Sequence, residues 1–97
     1  MRTMMRVTIP VEQGNGAFRD GSLAKLMQSH MQDLKPEAAY FTPMGGVRTA
    51  MMVFDLKDPS DMVRIAEPLF GGLHASVEFF PVMNADDLRA GMQKVRP

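Results

Sequence analysis

The fold is decided by residues Ala38 to Asp55, which read AAYFTPMGGVRTAMMVFD. Two runs of mixed polar and apolar residues flank Gly45-Gly46, and glycine adopts positive φ at both central positions of a two-residue turn without a steric penalty. The stretch therefore predicts a β-hairpin in which Met44 lies opposite Val47. Pairing outward from the turn predicts the remaining cross-strand neighbours. They are Thr42 with Thr49, Tyr40 with Met51 and Ala38 with Val53 on one face, and Phe41 with Ala50 and Ala39 with Met52 on the other.

Before the hairpin, the sequence predicts a strand and a helix. Residues Met4 to Val11 alternate between apolar and polar side chains, as a half-buried strand does. We expect a loop at Gln13 to Gly16 and a short helical turn at Ala17 to Asp20. The first main helix follows Ser22, whose hydroxyl is a suitable N-cap, and continues to about Leu34.

After the hairpin, the sequence predicts a second helix with a clear start. Asp58 is the expected N-cap and Pro59 suits the first helical position, where its missing N–H is not needed. Pro68 should distort the last turn, and Gly71-Gly72 should end the helix.

The chain is expected to finish with a strand and a short helix. The strand begins at Leu73 or His74 and continues to Met83, and Asn84 caps the helix that follows. Charged residues at the two ends of this helix have the signs that the helix dipole favours. They are Asp86 and Asp87 at the start, and Lys94 and Arg96 at the end.

The order strand, helix, strand, strand, helix, strand, with a terminal helix, is the split βαβ pattern of ferredoxin-like α+β domains. Right-handed crossovers then place both main helices on one face of a sheet with strand order 4-1-3-2. Helices cannot cover the other face, which carries too many apolar side chains to stay in water and therefore indicates a partner. That face holds Arg6, Thr8, Tyr40, Thr42, Thr49, Met51, Val53, Ser76, Glu78 and Phe80.

Composition limits the possible functions. The 97 residues suit one domain, residues 1–97, and eleven basic residues balance eleven acidic ones. Such a balance argues against a nucleic-acid or membrane partner. The absence of cysteine excludes disulfides and thiolate metal sites, and no apolar run resembles a signal peptide or a membrane span. We expect a cytoplasmic protein without metal or cofactor.

The stretch KPEAAYFTPMGGVRTAMMVFDLKDPS resembles small bacterial members of the dimeric α+β barrel superfamily. The resemblance implies that two chains pack sheet to sheet as a homodimer. Members of the superfamily include cofactor-independent monooxygenases, isomerases, haem enzymes and proteins without a known reaction, so the resemblance alone selects no activity.

The open face carries a candidate ligand site, because polar groups on an apolar wall are typical of small-molecule pockets. In a cavity of low dielectric constant, Glu78 could act as a general base, with Arg6 or Tyr40 orienting an oxyanion. The alternative is that Arg6 and Glu78, on neighbouring strands, pair across the dimer interface. The candidate ligand-binding residues are Arg6, Thr8, Tyr40, Thr42, Thr49 and Glu78.

The histidines and the first glycine cluster have structural and functional interpretations. His74 could reach a pocket as a base or, by analogy with the superfamily's haem enzymes, as an axial ligand, whereas His30 lies on or beside the apolar stripe of its helix. With two histidines and no cysteine, one chain cannot form a three-histidine zinc site. Gly14-Asn15-Gly16 lacks the third glycine of a dinucleotide loop, so a turn is favoured over an anion site.

Three functions remain open at this point. The first is a homodimer that binds a small molecule between its two sheets. The second is a cofactor-independent enzyme, resembling a monooxygenase or isomerase, that acts on a small hydrophobic substrate. The third is a structural or interaction module whose barrel is filled by side chains.

Overall fold

Residues 1–95 are described by a computed structural model. They form an α+β fold with a four-stranded antiparallel sheet and four helices, consistent with a ferredoxin-like fold. The elements in chain order are β1 (Arg2–Ile9), α1 (Val11–Asp20), α2 (Ser22–Leu34), β2 (Ala38–Met44), β3 (Val47–Asp55), α3 (Asp61–Leu73), β4 (Ser76–Pro81) and α4 (Ala85–Gln93).

The hairpin of β2 and β3 has the predicted register. Met44 lies opposite Val47, and every pair predicted from the Gly-Gly turn is present. Gly45 and Gly46 have φ angles of 63° and 80°, which only glycine adopts readily. The strand order β2-β3-β1-β4 is the predicted order read from the opposite edge.

The connection between β1 and α2 differs from the prediction. Strand β1 ends at Ile9, and Val11, which we predicted in the strand, begins helix α1. Pro10 explains the change, because it cannot donate to a strand ladder and its φ of −56° suits a helix start. The loop predicted at Gln13 to Gly16 is therefore wrong, because these residues lie within α1.

The start of α2 is also corrected. Ser22 is its first helical residue rather than its N-cap, and Gly21, with a φ of 83°, joins the two helices. The Ser22 N–H donates to Asp20 Oδ1 at 2.8 Å.

Helix α3 is shifted along the chain relative to the prediction. It begins at Asp61 because Asp58 forms a tight turn instead of a cap: Asp58 Oδ1 accepts from the Ser60 hydroxyl at 2.6 Å and the Ser60 N–H at 2.9 Å. These two bonds hold the pKa of Asp58 below its ordinary value.

The predicted end of α3 is wrong as well. Pro68 lies inside the helix, which passes through Gly71 and Gly72 and ends at Leu73. His74 then adopts a left-handed φ of 50°, and its N–H donates to the Phe70 carbonyl at 3.0 Å. Strand β4 consequently begins at Ser76, later than predicted.

The core lies between the sheet and helices α1 to α3. Its centre is formed by buried apolar side chains from β1, β3, α1 and α3, together with Ala75, which precedes β4; Val77 and Phe79 of β4 are partly buried against it. The largest fully buried side chains are Phe54, Met5, Met52, Ile65, Leu69, Leu73 and Val7.

Helix α4 is attached to the domain at its start. The predicted cap is confirmed, since Asn84 and Asp87 form a capping box in which each side chain accepts from the other's backbone N–H. Asp87 Oδ2 also accepts from Arg2 Nη1 at 3.1 Å. No side chain of α4 is buried. Lys94 is the C-cap, and Arg96, predicted to complement the helix end, lies outside the described residues.

Candidate functional site

The open face of the sheet is banded, and each band crosses all four strands. The middle band is charged and contains, from β2 to β4, Tyr40, Met51, Arg6 and Glu78. On one side of it lies a hydroxyl band formed by Thr42, Thr49, Thr8 and Ser76. On the other side lies an apolar band formed by Ala38, Val53, Met4 and Phe80. The bands follow from the register, because residues directly opposite one another share a face.

The six predicted ligand residues therefore all lie on this face, in the charged and hydroxyl bands. Thr8 and Arg6 come from β1, whereas the others come from β2, β3 and β4. The structure adds Ser76, which completes the hydroxyl band. The alternation of β4 already placed Ser76 on the open face, and the observed register of β1 against β4 puts it opposite Thr8.

The charged band is dominated by an ion pair between Arg6 and Glu78. Arg6 Nε donates to Glu78 Oε1 at 2.9 Å, and Arg6 Nη2 donates to Oε1 and Oε2 at 2.7 and 3.0 Å. Both residues belong to one chain, and the Glu78 side chain is 53% exposed. Such an exposed pair contributes little to stability. Its chemical effect is to cancel the two charges at the centre of the face.

The hydroxyl band offers unused hydrogen-bonding groups. The buried Thr49 hydroxyl donates to the Val47 carbonyl at 3.1 Å, and the Thr42 hydroxyl makes a long bond of 3.4 Å to the Pro43 carbonyl. Within residues 1–95, the hydroxyls of Thr8 and Ser76 have no side-chain hydrogen bond, so they remain able to donate or accept. A hydroxyl does both, which suits a ligand with alcohol, carbonyl or amide groups.

The apolar part of the face is uncovered in the single chain. Tyr40 is 68% exposed and Phe80 is 37% exposed, and the neighbouring Met4, Met51 and Val53 are half-buried. Apolar side chains in adjoining positions form a continuous patch, the kind of surface that marks an interface or a binding groove.

Neither histidine belongs to the three bands of this face. His30 is buried between helices, with Nδ1 3.0 Å from the Leu26 carbonyl oxygen and Nε2 3.0 Å from the Ile65 carbonyl oxygen. Both ring nitrogens therefore contact backbone carbonyls inside the protein, so neither is free to bind a ligand. His74 is exposed at the end of α3, two residues before Ser76. Among residues 1–95, no group of three or more histidine or acidic side chains could hold a metal ion.

The structure contains a groove, not predicted from the sequence, on the opposite, helix-covered side of the sheet. It has a volume of about 370 Å³ and lies between α2 and the hairpin, with Arg48 at its wall. A role for Arg48 was not predicted from the sequence, because Gly14 and Asn15, which it contacts, were predicted to form a loop rather than a helix.

Comparison with known proteins gives no identity. No protein-family model matches the chain, and no curated protein matches its sequence. Within residues 1–95, no helix has the length and hydrophobicity needed to cross a lipid bilayer.

Proposed function

We propose that this protein is a homodimer whose open sheet faces pack together and bind a small, uncharged molecule between them. The banded open face is the observation that carries the proposal. An apolar band favours burial, a hydroxyl band offers specific contacts, and the ion pair between them leaves no net charge for a ligand to balance.

A second copy of the chain is the partner that suits this face. A two-fold axis lying between the two sheets brings the same patch of each chain against the other, so an apolar surface is buried without a different partner. Helix α4 supports the dimer independently. Its Leu88, Met92 and the adjacent Val95 are spaced along one side of the helix and are all exposed, so they too lack a partner within the described chain.

The ligand would lie over the hydroxyl band. Thr8 and Ser76 supply free hydroxyls from the neighbouring strands β1 and β4, and the exposed Tyr40 supplies a phenol on β2, at the opposite edge of the sheet. A small number of polar groups on an apolar wall is typical of small-molecule sites. The bidentate contact with Arg6 gives Glu78 a structural partner, so the proposal assigns no catalytic step.

Sedimentation velocity tests the dimer. We expect the wild-type chain to sediment as a dimer at micromolar concentration. Phe80→Asp should sediment as a monomer, because it places a charge in the apolar band that the dimer would bury. Val63→Asp is the matched control, since Val63 is 64% exposed on α3, away from the open face. A wild-type monomer, or equal dissociation of both variants, would contradict the proposal.

Intrinsic fluorescence provides a second test, because Tyr40 is the only tyrosine and the chain has no tryptophan. We expect acrylamide to quench Tyr40 weakly in concentrated solution and strongly on dilution, as the open face becomes accessible. Quenching that does not depend on protein concentration would exclude Tyr40 from an interface.

A crystal structure of the dimer tests the ligand site. We expect a cavity bordered by Thr8 and Ser76 of both protomers. A space filled by side chains would leave the dimer intact and refute ligand binding there.

A further inference from the structure

The groove on the covered side is a separate, almost wholly apolar cleft. Leu23 and Met27 of α2 form one wall, Phe41 and Pro43 of β2 form the other, and Ile9 and Ala50 of the central strands form the base. Its volume of about 370 Å³ lies in the range of small-molecule sites.

The groove exists because the helix layer does not extend over strand β2. Ala50 on β3 is buried, yet Phe41, its partner in the hairpin, is 57% exposed. Phe41 therefore projects beside α2 instead of beneath it. An apolar side chain in this position adds a wall to the groove rather than volume to the core.

Arg48 is held at the wall of this groove by three residues of α1. Its Nη2 donates to Asn15 Oδ1 at 3.2 Å, and its guanidinium carbon lies 5.9 Å from the centre of the Phe18 ring. Gly14 makes this position possible, because a Cβ there would lie 2.6 Å from Arg48 Nη1. The guanidinium is thus positioned before any ligand arrives.

The charge of Arg48 has no acidic partner within residues 1–95. Four other arginines of the described chain, Arg2, Arg6, Arg64 and Arg89, bond carboxylates, whereas Arg19 donates only to the Asn15 carbonyl. Arg48 instead uses a single side-chain hydrogen bond, to an amide oxygen, although a guanidinium carries five N–H donors. A cation with spare donors beside an apolar cleft is complementary to a carboxylate with an apolar body.

We propose that this groove binds a small carboxylic acid, its apolar body between α2 and the hairpin and its carboxylate on Arg48. The site faces the helix side of the sheet, whereas the ligand proposed between the sheets lies over Thr8 and Ser76. Thr42 and Thr49 of the hydroxyl band also border the groove, because it reaches the sheet edge at the hairpin. A second copy of the chain is a poorer occupant, since it would have to bring an acidic side chain to Arg48.

Titration of the purified protein with octanoate, followed by amide chemical shifts, tests the proposal. We expect saturable shifts around Leu23, Met27 and Phe41, and binding of octanol, the uncharged analogue, at least about tenfold weaker, as loss of a charge-assisted hydrogen bond implies. Equal affinity for octanoate and octanol would overturn the role of Arg48. Shifts confined to Thr8 and Ser76 would place the molecule between the sheets, refuting the groove but not the proposed function.

Matched variants separate the charge from the apolar walls. Arg48→Met should weaken octanoate at least about tenfold and leave octanol unchanged, whereas Arg89→Met, the same change at an exposed arginine of α4, should alter neither. Phe41→Ala should weaken both molecules. Unchanged octanoate affinity in Arg48→Met would refute the site.

Gly14→Ala tests the positioning of Arg48 without removing its charge. The added methyl group must displace the guanidinium, so octanoate should bind more weakly while octanol binds as before. Gly16→Ala is the control, because a Cβ at Gly16 meets nothing within 4 Å. Equal octanoate affinity in both variants would contradict the preorganised cation.

Discussion

The two faces of the sheet differ although they are built from the same strands. Met51 and Met52 are neighbours in β3, yet Met52 is 0% exposed beneath the helices and Met51 is half-buried on the open face. Alternation along a strand sends successive side chains to opposite faces, so the difference is set by what covers each face. The covered face forms the core of the chain, and the open face carries apolar side chains that no helix of the described chain covers.

The largest contrast is expected between the two methionines. Met52→Ala should destabilise the chain by about 2–5 kcal/mol, because it leaves a cavity in a packed core. Met51→Ala should cost less than about 1 kcal/mol at protein concentrations low enough to give monomers. Urea unfolding followed by circular dichroism measures both.

The comparison between the faces would fail in two cases. Equal losses for both variants in dilute solution would show that Met51 is already packed in the monomer. If Met51→Ala stayed as stable as the wild type at high concentration too, the open face would contribute nothing to association.

An intermediate effect is expected at two glycines of α1, the helix over the covered face. Gly16→Ala should raise the free energy of unfolding by about 0.5–1 kcal/mol, since alanine favours a helix and nothing obstructs its Cβ. Gly14→Ala should gain nothing or lose up to about 1 kcal/mol, because displacing Arg48 removes its contacts with Asn15 and Phe18.

Thermal unfolding of the two variants side by side measures this difference. Equal stabilisation would mean that Arg48 rests on α1 without a significant contribution to stability. The stability of the covered face would then come from its apolar core alone, and the contacts of Arg48 would only position its guanidinium at the groove.

The smallest effect is expected from the ion pair of the open face. A double-mutant cycle of Arg6→Met and Glu78→Gln should give a coupling energy of about 0.2–1 kcal/mol in dilute solution, since both side chains are partly exposed. The coupling should grow at high concentration, when the pair loses contact with water. A coupling that is independent of concentration would place the pair outside the interface.

The sheet could be predicted from the sequence because each strand carries a period of two and one turn sets the register. Once Gly45 and Gly46 define the hairpin, every pair in it follows, and the structure confirms them. The candidate ligand residues share a face for the same reason. The hydroxyl band was only partly predicted, because it depends on the register of β1 against β3 and β4, which the hairpin turn does not set.

The starts of α1 and α2 and both ends of α3 could not be predicted, because local signals competed with tertiary packing. Gly14 reads as part of a loop, yet it is helical and its lack of a side chain accommodates Arg48. Gly71 and Gly72 are typical of a helix end, yet α3 continues through them to Leu73. The Ala75 N–H, which lies beyond the helix, then donates to the Leu69 carbonyl. The groove was missed because it depends on α1 and on where the helix layer stops, which no local pattern reports.

The Asp87 carboxylate joins the last helix to the first strand, because the same oxygen accepts from the Asn84 N–H and from Arg2. Helix α4 has no buried side chain, so this oxygen is its main attachment to the domain. Replacing Asp87 with alanine would remove its half of the capping box and the tether to Arg2 in one step. The last helix of an isolated chain should therefore behave as a separate unit of local unfolding, whose amide protons exchange with solvent long before those of the sheet.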